Sequence, residues 1–460
     1  MDLSEELKAE QENTQGDVNP TSSFYLTLSE DEINVIPFID NPTHLSVTAV
    51  LHYCKLKILK PYLRLLSTTG LRSLVTEQTD SYTIWDFLGL LYTIQVIVLM
   101  CIGYVLQYMS CFRRDRGFWY KLATPNEPLL RSMESDTFQL SKEKYEQICH
   151  GSITFSYIVP SVLHLCAYLI GMYIFRLTGN DQLPTLMERV FLATSQLADG
   201  FLSQKRLVKV LWIFVALGIV WMLLSFTSVI FMMFEGTIVF KWFEHRSDAV
   251  IISMKVVLIA GTLWHDVIQA TVISSYCLQA QLLTSYLHFL RDKLLQHPTN
   301  SIEWMREISE FKKLLKYLNE DLSTPACIFI FINICWAISG TTWLLGYDRV
   351  DVQTQPIIVI SVLNVVLWWT LILAPCIQAS RLTNACGLIR TVGHEVRTRP
   401  FVHQETPGSE LDSILLYASS LEMSATLFKI PITGRSLSFC ITFLSITILV
   451  IGQCHFLNAR

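Results

Sequence analysis

Stretches without a single Asp, Glu, Lys or Arg recur along the chain at 87–112, 151–175, 210–234, 322–347, 352–380 and 436–459. Each supplies the roughly 20 apolar residues that an α-helix needs to cross a bilayer. A seventh stretch, 250–283, is interrupted by Lys255 and Asp266, yet "VVLIAGTLWHDVIQATVISSYCL" (256–278) is apolar over a full span. The pattern predicts an all-α membrane protein with seven transmembrane helices. The first 40 residues are polar and acidic, with no basic stretch leading into an apolar one, so the first span is expected to direct insertion itself.

Two stretches between spans carry a different period. "SIEWMREISEFKKLLKYLNEDL" (301–322) places Ile302, Met305, Ile308, Phe311, Leu315, Leu318 and Leu322 three and four residues apart, one apolar stripe on a charged helix. "SELDSILLYASSLEMSATLFKI" (409–430) does the same with Leu411, Ile414, Leu415, Ala418, Leu421, Ala425 and Phe428, and Pro431 is expected to end that helix. Amphipathic helices outside the bilayer must bury their stripes against each other or another subunit, which predicts a packed helical domain under the membrane.

Composition fits this picture. Of the 460 residues 51% are hydrophobic and 16% charged, against roughly 25% charged in soluble domains. With seven spans the termini lie on opposite sides. If the N-terminus is cytoplasmic, the inner segments 1–83, 178–209, 284–325 and 379–435 hold 22 Lys and Arg against 11 outside. That ratio favours N-inside and C-outside, although "CFRRDRGFWYK" (111–121) places arginines at an outer membrane edge. The net charge of −4 carries no nucleic-acid signature. The twelve cysteines form no CxxC pair or Cys/His cluster, so neither a metal nor a cofactor is implied. Cys111 and Cys149 flank the first loop, either as a disulfide facing an oxidising compartment or as two free thiols.

No nucleophile elbow, P-loop, HExxH or dinucleotide fingerprint stands in a workable setting, so nothing supports an enzyme. Polar groups inside spans are the informative residues, because hydrocarbon tolerates them only when they are paired or face water. Asp266, between His265 and Gln269 and preceded by Trp264, reads either as a ligand or gating contact or as a structural carboxylate held by a neighbouring helix. Tyr157, His164, Trp221, Asn333, Trp336, Trp343, Asn364 and Trp368 cluster at related depths. Aromatic rings with a few amides suit a small organic ligand, and equally suit an interfacial belt with helix packing. In the last span Ile446, Leu449, Val450, Gln453 and Leu457 share one face, apolar except for the amide. Such a face either lines a pore or packs on a neighbour with Gln453 as an interhelical clamp.

This layout resembles the insect-type gustatory and odorant receptor superfamily. "LKPYLRLLSTTGL" (59–71) is similar to that family's segment before the first span, "LLTSYLHFLRDKLLQ" with "EISEFKKLLKYLNEDLSTPACIF" (282–329) to its connection between spans four and five, and 411–453 to its C-terminal region. The gustatory signature TYhhhhhQF, with h hydrophobic, aligns on Gln453; Ile446-Thr447 stands where Thr-Tyr is expected, and Cys454 replaces the Phe. The resemblance implies a tetrameric ligand-gated cation channel in the plasma membrane, homomeric or mixed with related receptors, with no nucleic-acid partner. It implies a pore lined by the last helix (Ile446, Leu449, Val450, Gln453, Cys454, Leu457) and a small tastant or odorant bound in the outer half of the bundle. The chain would then divide into a cytoplasmic region with a membrane-proximal helix (1–83), spans one to six with their cytoplasmic extension 284–325 (84–377), anchor helices (378–435) and the pore helix (436–460).

Two rival readings are a G-protein-coupled receptor and a proton-coupled transporter. The first expects an outside N-terminus, an Asp/Glu-Arg-Tyr motif after span three and Asn-Pro-x-x-Tyr in span seven, where this chain has "FMMFEGT" and neither Asn-Pro nor Tyr. The second would use His265 and Asp266 as a relay, but no internal repeat accompanies them.

Overall fold

The computed structural model describes residues 47–73, 84–113, 117–118, 153–177, 182–195, 200–235, 240, 247–298, 300–345, 355–398 and 406–457. A helical rod opens this part of the chain: α1 (Val47–Cys54), a π-helical turn (Lys55–Leu59) and α2 (Lys60–Thr68). Then come α3 (Ile84–Met109), a short hairpin of β1 (Phe112–Arg113) and β2 (Gly117–Phe118), a π turn (Thr154–Ile158) leading into α4 (Val159–Leu177), α5 (Gln182–Ser195) and α6 (Gly200–Glu235). The second half holds α7 (Asp248–Gln296), α8 (Ser301–Tyr317), a π turn (Leu318–Leu322), α9 (Ser323–Leu345), α10 (Gln355–Arg397), α11 (Gly408–Ser420), the hairpin β3 (Thr426–Leu427) and β4 (Ile430–Pro431), and α12 (Gly434–Leu457).

Among the described residues six helices are long and apolar enough to cross a membrane, and α12 adds a shorter apolar stretch, Gly434–Val450. On α3 the outward residues Phe87, Leu91, Ile94, Val98, Ile102 and Val105 are all exposed and all apolar. An exposed stripe of that composition suits lipid rather than water. At 49 residues, α7 is about 74 Å long, more than twice the ~30 Å hydrocarbon thickness, so a large part of it projects from the bilayer.

That projecting part organises the helical domain expected from the amphipathic stripes. Trp304, Ile308, Phe311, Leu315, Leu318 and Leu322 are buried at alternating four- and three-residue steps, packed in one cluster with Tyr286, Leu290 and Leu294 of α7, Ile389 and Val396 of α10, and Ile414 and Ala418 of α11. Ile302 is 74% exposed and Trp304 takes its place in the core, a correction to the first turn of the stripe. The step series runs back from Ile308 to Trp304, which leaves Ile302 on another face. Ion pairs rim the cluster: Arg291–Glu395 at 2.6 Å, Lys293–Glu307 at 3.0 Å and Arg189–Glu310 at 3.0 Å. The hydrogen bond from Arg189, then that from Lys313, holds the Glu310 carboxyl below the ordinary range.

The stripe expected over 409–430 is also corrected. Its helix stops at Ser420, Leu421 turns extended with ψ 116°, and the rest forms the β3–β4 hairpin. Phe428 and Lys429 at its tip have φ of 55° and 61°, the twist a two-residue hairpin turn requires. Side chains from other elements fix it. Asn319 Nδ2 donates to the Ser424 carbonyl and Asn319 Oδ1 accepts from Thr426 N, both at 2.9 Å, while Thr383 Oγ1 accepts from Ala425 N at 3.1 Å. Leu421, Ala425 and Leu427 still reach the core from extended backbone, and Phe428 faces out.

Glycine sets two close approaches. Gly261 of α7 faces Gly103 of α3 so closely that a Cβ on Gly261 would lie 2.9 Å from the Gly103 Cα. Gly70, at φ 76°, turns the chain after α2; its carbonyl accepts from Arg176 at 2.8 Å, and a Cβ there would meet the Tyr168 hydroxyl at 2.6 Å.

Candidate functional site: a buried polar cluster with two cavities

Asp266 lies on α7 about 30 Å along the helix axis from Tyr286 of the projecting core. It is buried at 4% exposure. Ser225 Oγ of α6 donates to Asp266 Oδ2 at 2.7 Å, and Gln269 Nε2, one turn on, donates to Oδ1 at 2.9 Å. Asn333 of α9 extends the chain of polar contacts, donating to Gln269 Oε1 at 3.3 Å and to the Phe329 carbonyl at 2.8 Å. A carboxylate thus joins three helices through a serine and two amides, and hydrogen bonds to a charged acceptor are the stronger kind.

His265, a single helical step of about 100° away, faces a different neighbourhood. Its ring stacks on Tyr104 of α3 with centroids 4.3 Å apart and lies 5.0 Å from the ring of His164 on α4. His265 Nε2 lies 3.3 Å from the Met100 carbonyl, and His164 Nε2 lies 3.2 Å from the His265 carbonyl. A carbonyl only accepts, so both Nε2 atoms carry the proton. His164 Nδ1 lies 2.8 Å from the Tyr104 hydroxyl, and His265 Nδ1 lies 3.4 Å from Gln107 Nε2.

Two small cavities open onto these side chains. One, of about 20 Å³, is lined by Asp266, Ser225, Trp221, Asn364, Trp368 and Phe112, among others. The second, of about 30 Å³, is lined by His164, His265, Tyr104, Gln107, Tyr157 and Trp336, with Phe112 again at its edge. Each holds one or two water-sized groups. Trp336 and Trp368 sit 6.1 Å apart and Phe112 touches both spaces. Cys111, beside Phe112, is disulfide-bonded; Cys149 lies outside the described residues.

Most of the residues singled out from the sequence meet here. Trp221 donates its indole N–H to the Leu367 carbonyl at 3.2 Å, and Asn364 Oδ1 accepts from Ser228 Oγ at 2.6 Å. Tyr157 meets Tyr108 edge to face at 5.5 Å. Asn333 supports the Asp266 cluster, and Trp264 lines neither cavity, its buried indole N–H lacking a hydrogen-bond partner among the described residues. Trp343 is carried by α9, and Cys454 and Leu457 by α12, with side chains outside the described residues. On α12 Ile446, Leu449, Val450 and Gln453 are exposed in the single chain. Sequence reading missed Tyr104, Gln107, Phe112 and Ser225. Serines and tyrosines in apolar helices commonly bond their own backbone or sit at the interface, so only the neighbouring helix reveals their role.

Fold and site define a helical multi-pass membrane protein with a polar site inside its bundle. The same fold is found in the insect olfactory receptor OR5 from Machilis hrabei, with a TM-score of 0.57 and 11% identity over 87% of this chain and 98% of that one. In the structure of that receptor in complex with eugenol the TM-score is 0.56 and the identity 9%, over 88% and 100% of the two chains. No family model and no curated protein matches the sequence.

Proposed function

We propose that this protein is a chemosensory receptor of the gustatory type that acts as a ligand-gated, non-selective cation channel. The carrying observation is the fold shared with an olfactory receptor over nearly the whole of both chains, joined to a buried polar site of the kind a small ligand needs. A related structure holds eugenol, a small organic molecule. In this reading the ligand binds among Tyr157, His164, His265, Asp266, Trp221, Trp336, Asn364 and Trp368. The N-terminus is cytoplasmic and the C-terminus extracellular, as the excess of inner Lys and Arg favours. Four copies, of this chain or with related receptors, surround a pore in the plasma membrane, and Gln453 forms its polar ring. α12 packs on α9 and α10, and the exposure of its apolar residues, Ile446, Leu449 and Val450 among them, together with Gln453, supports a partner for this helix.

Patch recordings from cells expressing the protein test the reading. Ligand-evoked currents that persist when G-protein signalling is blocked support a channel, and responses abolished by that block contradict it.

A further inference from the structure

We infer that the ligand class of the Asp266 cavity is a small protonated amine. The inference rests on the ligand-gated reading above and sharpens it. A carboxylate at 4% exposure within a membrane-spanning helix is costly to keep, and Ser225 and Gln269 are among the groups that hydrogen-bond to it. It also lines a cavity whose wall includes two indoles, Trp221 and Trp368, and the phenyl ring of Phe112, beside Asn364 and the apolar Val229, Met232 and Leu367. A carboxylate combined with aromatic faces is the chemistry that recognises an ammonium group, through charge and through the negative faces of the rings. A neutral alcohol uses the rings and offers the carboxylate one hydrogen bond, but brings no opposite charge.

Size agrees with the head group alone. An ammonium head is close to a water molecule in size, and the cavity of about 20 Å³ accommodates one such group. The apolar body of the ligand has its place in the second cavity, which shares Phe112 with the first and where Tyr157, Pro160 and Trp336 offer aromatic and apolar surface. The geometry therefore points to a compact arylalkyl or alkyl amine, with its nitrogen at Asp266 and its carbon skeleton toward Trp336.

The test compares isosteres on the purified full-length protein in detergent at neutral pH, reading tryptophan fluorescence and thermal stability. The probes are 2-phenylethylamine, methylamine and the neutral 2-phenylethanol. At least one amine is expected to bind saturably, with 2-phenylethylamine about tenfold tighter than the alcohol, the factor a charge-assisted contact of about 1.4 kcal/mol gives. Asp266→Asn should erase that preference. Trp368→Leu should weaken the amine severalfold more than the alcohol, which keeps the test open if Asp266→Asn does not fold. Equal binding of amine and alcohol, an unchanged preference in the variants, or no amine binding at all overturns the inference. So does stabilisation by sodium over a bulky organic cation without any amine preference, which would make the cavity an alkali-ion site. Binding is read without current: amine binding by a protein that conducts nothing sinks the channel reading alone, whereas currents evoked only by neutral compounds sink this inference alone.

Discussion

Ser225 on α6 and Asp266 on α7 meet through a 2.7 Å hydrogen bond, hydroxyl to carboxylate, in the buried interior of an apolar bundle. Ser225→Ala removes a donor from a charged acceptor, and the expected loss is about 1 kcal/mol, the scale of such bonds within membranes. Unfolding by SDS titration measures it. Thr227→Ala serves as the comparison, because Thr227 is exposed and bonds only its own helix, to the Leu223 carbonyl. Equal effects at the two positions would reduce the Ser225 contact to an incidental one.

The crossing of α3 and α7 depends on the absence of two side chains. Gly261→Ala places a Cβ 2.9 Å from the Gly103 Cα, a backbone collision that no rotamer relieves, and overpacking of this kind costs about 1–3 kcal/mol. The helices must separate, which also disturbs the stacking of Tyr104 on His265. A Cβ on Gly218 of α6 would meet nothing within 4 Å among the described residues beyond its own helix, so Gly218→Ala should be neutral or slightly stabilising. Surface expression and thermal stability of the two variants, measured side by side, check the contrast.

Asn319 links the π turn before α9 to the hairpin that leads into α12. Asn319→Leu leaves the Ser424 carbonyl and the Thr426 N–H without this partner, each worth about 1–3 kcal/mol when unsatisfied and buried. Asn319→Asp keeps the acceptor for Thr426 and loses only the donor, so its effect should be intermediate. Trypsin cleavage after Lys429, at the exposed hairpin tip, should be slowest in the native protein, faster in Asn319→Asp and fastest in Asn319→Leu. Identical cleavage in all three proteins would show that the hairpin is held by other contacts, such as Thr383 to Ala425.

The spans and the buried stripe of α8 were legible in the sequence because charge-free runs and helical spacing follow directly from what lipid and a packed core tolerate. The hairpin at 426–431 was not legible. Leu421, Ala425 and Phe428 fall at helical spacing, and the bonds that override helix formation come from Asn319 and Thr383, roughly 105 and 42 residues away. At the site Asp266, His164 and the tryptophans stood out as costly groups in a span. What satisfies them did not stand out. Ser225 and Gln269 donate to Asp266, while the ring of His265 stacks on Tyr104 and its Nε2 lies near the Met100 carbonyl. Adjacent residues on a helix diverge by about 100°, so neighbours in sequence serve different cavities.

The proposed channel requires that ligand binding open a pore in this protein itself. The most direct measurement reconstitutes the purified chain alone in planar bilayers and challenges it with small organic compounds, amines and neutral volatiles together. Discrete openings that carry cations without a G protein are expected, with conductance or selectivity altered by Gln453→Ala. Silent bilayers from folded protein that binds those compounds would contradict it.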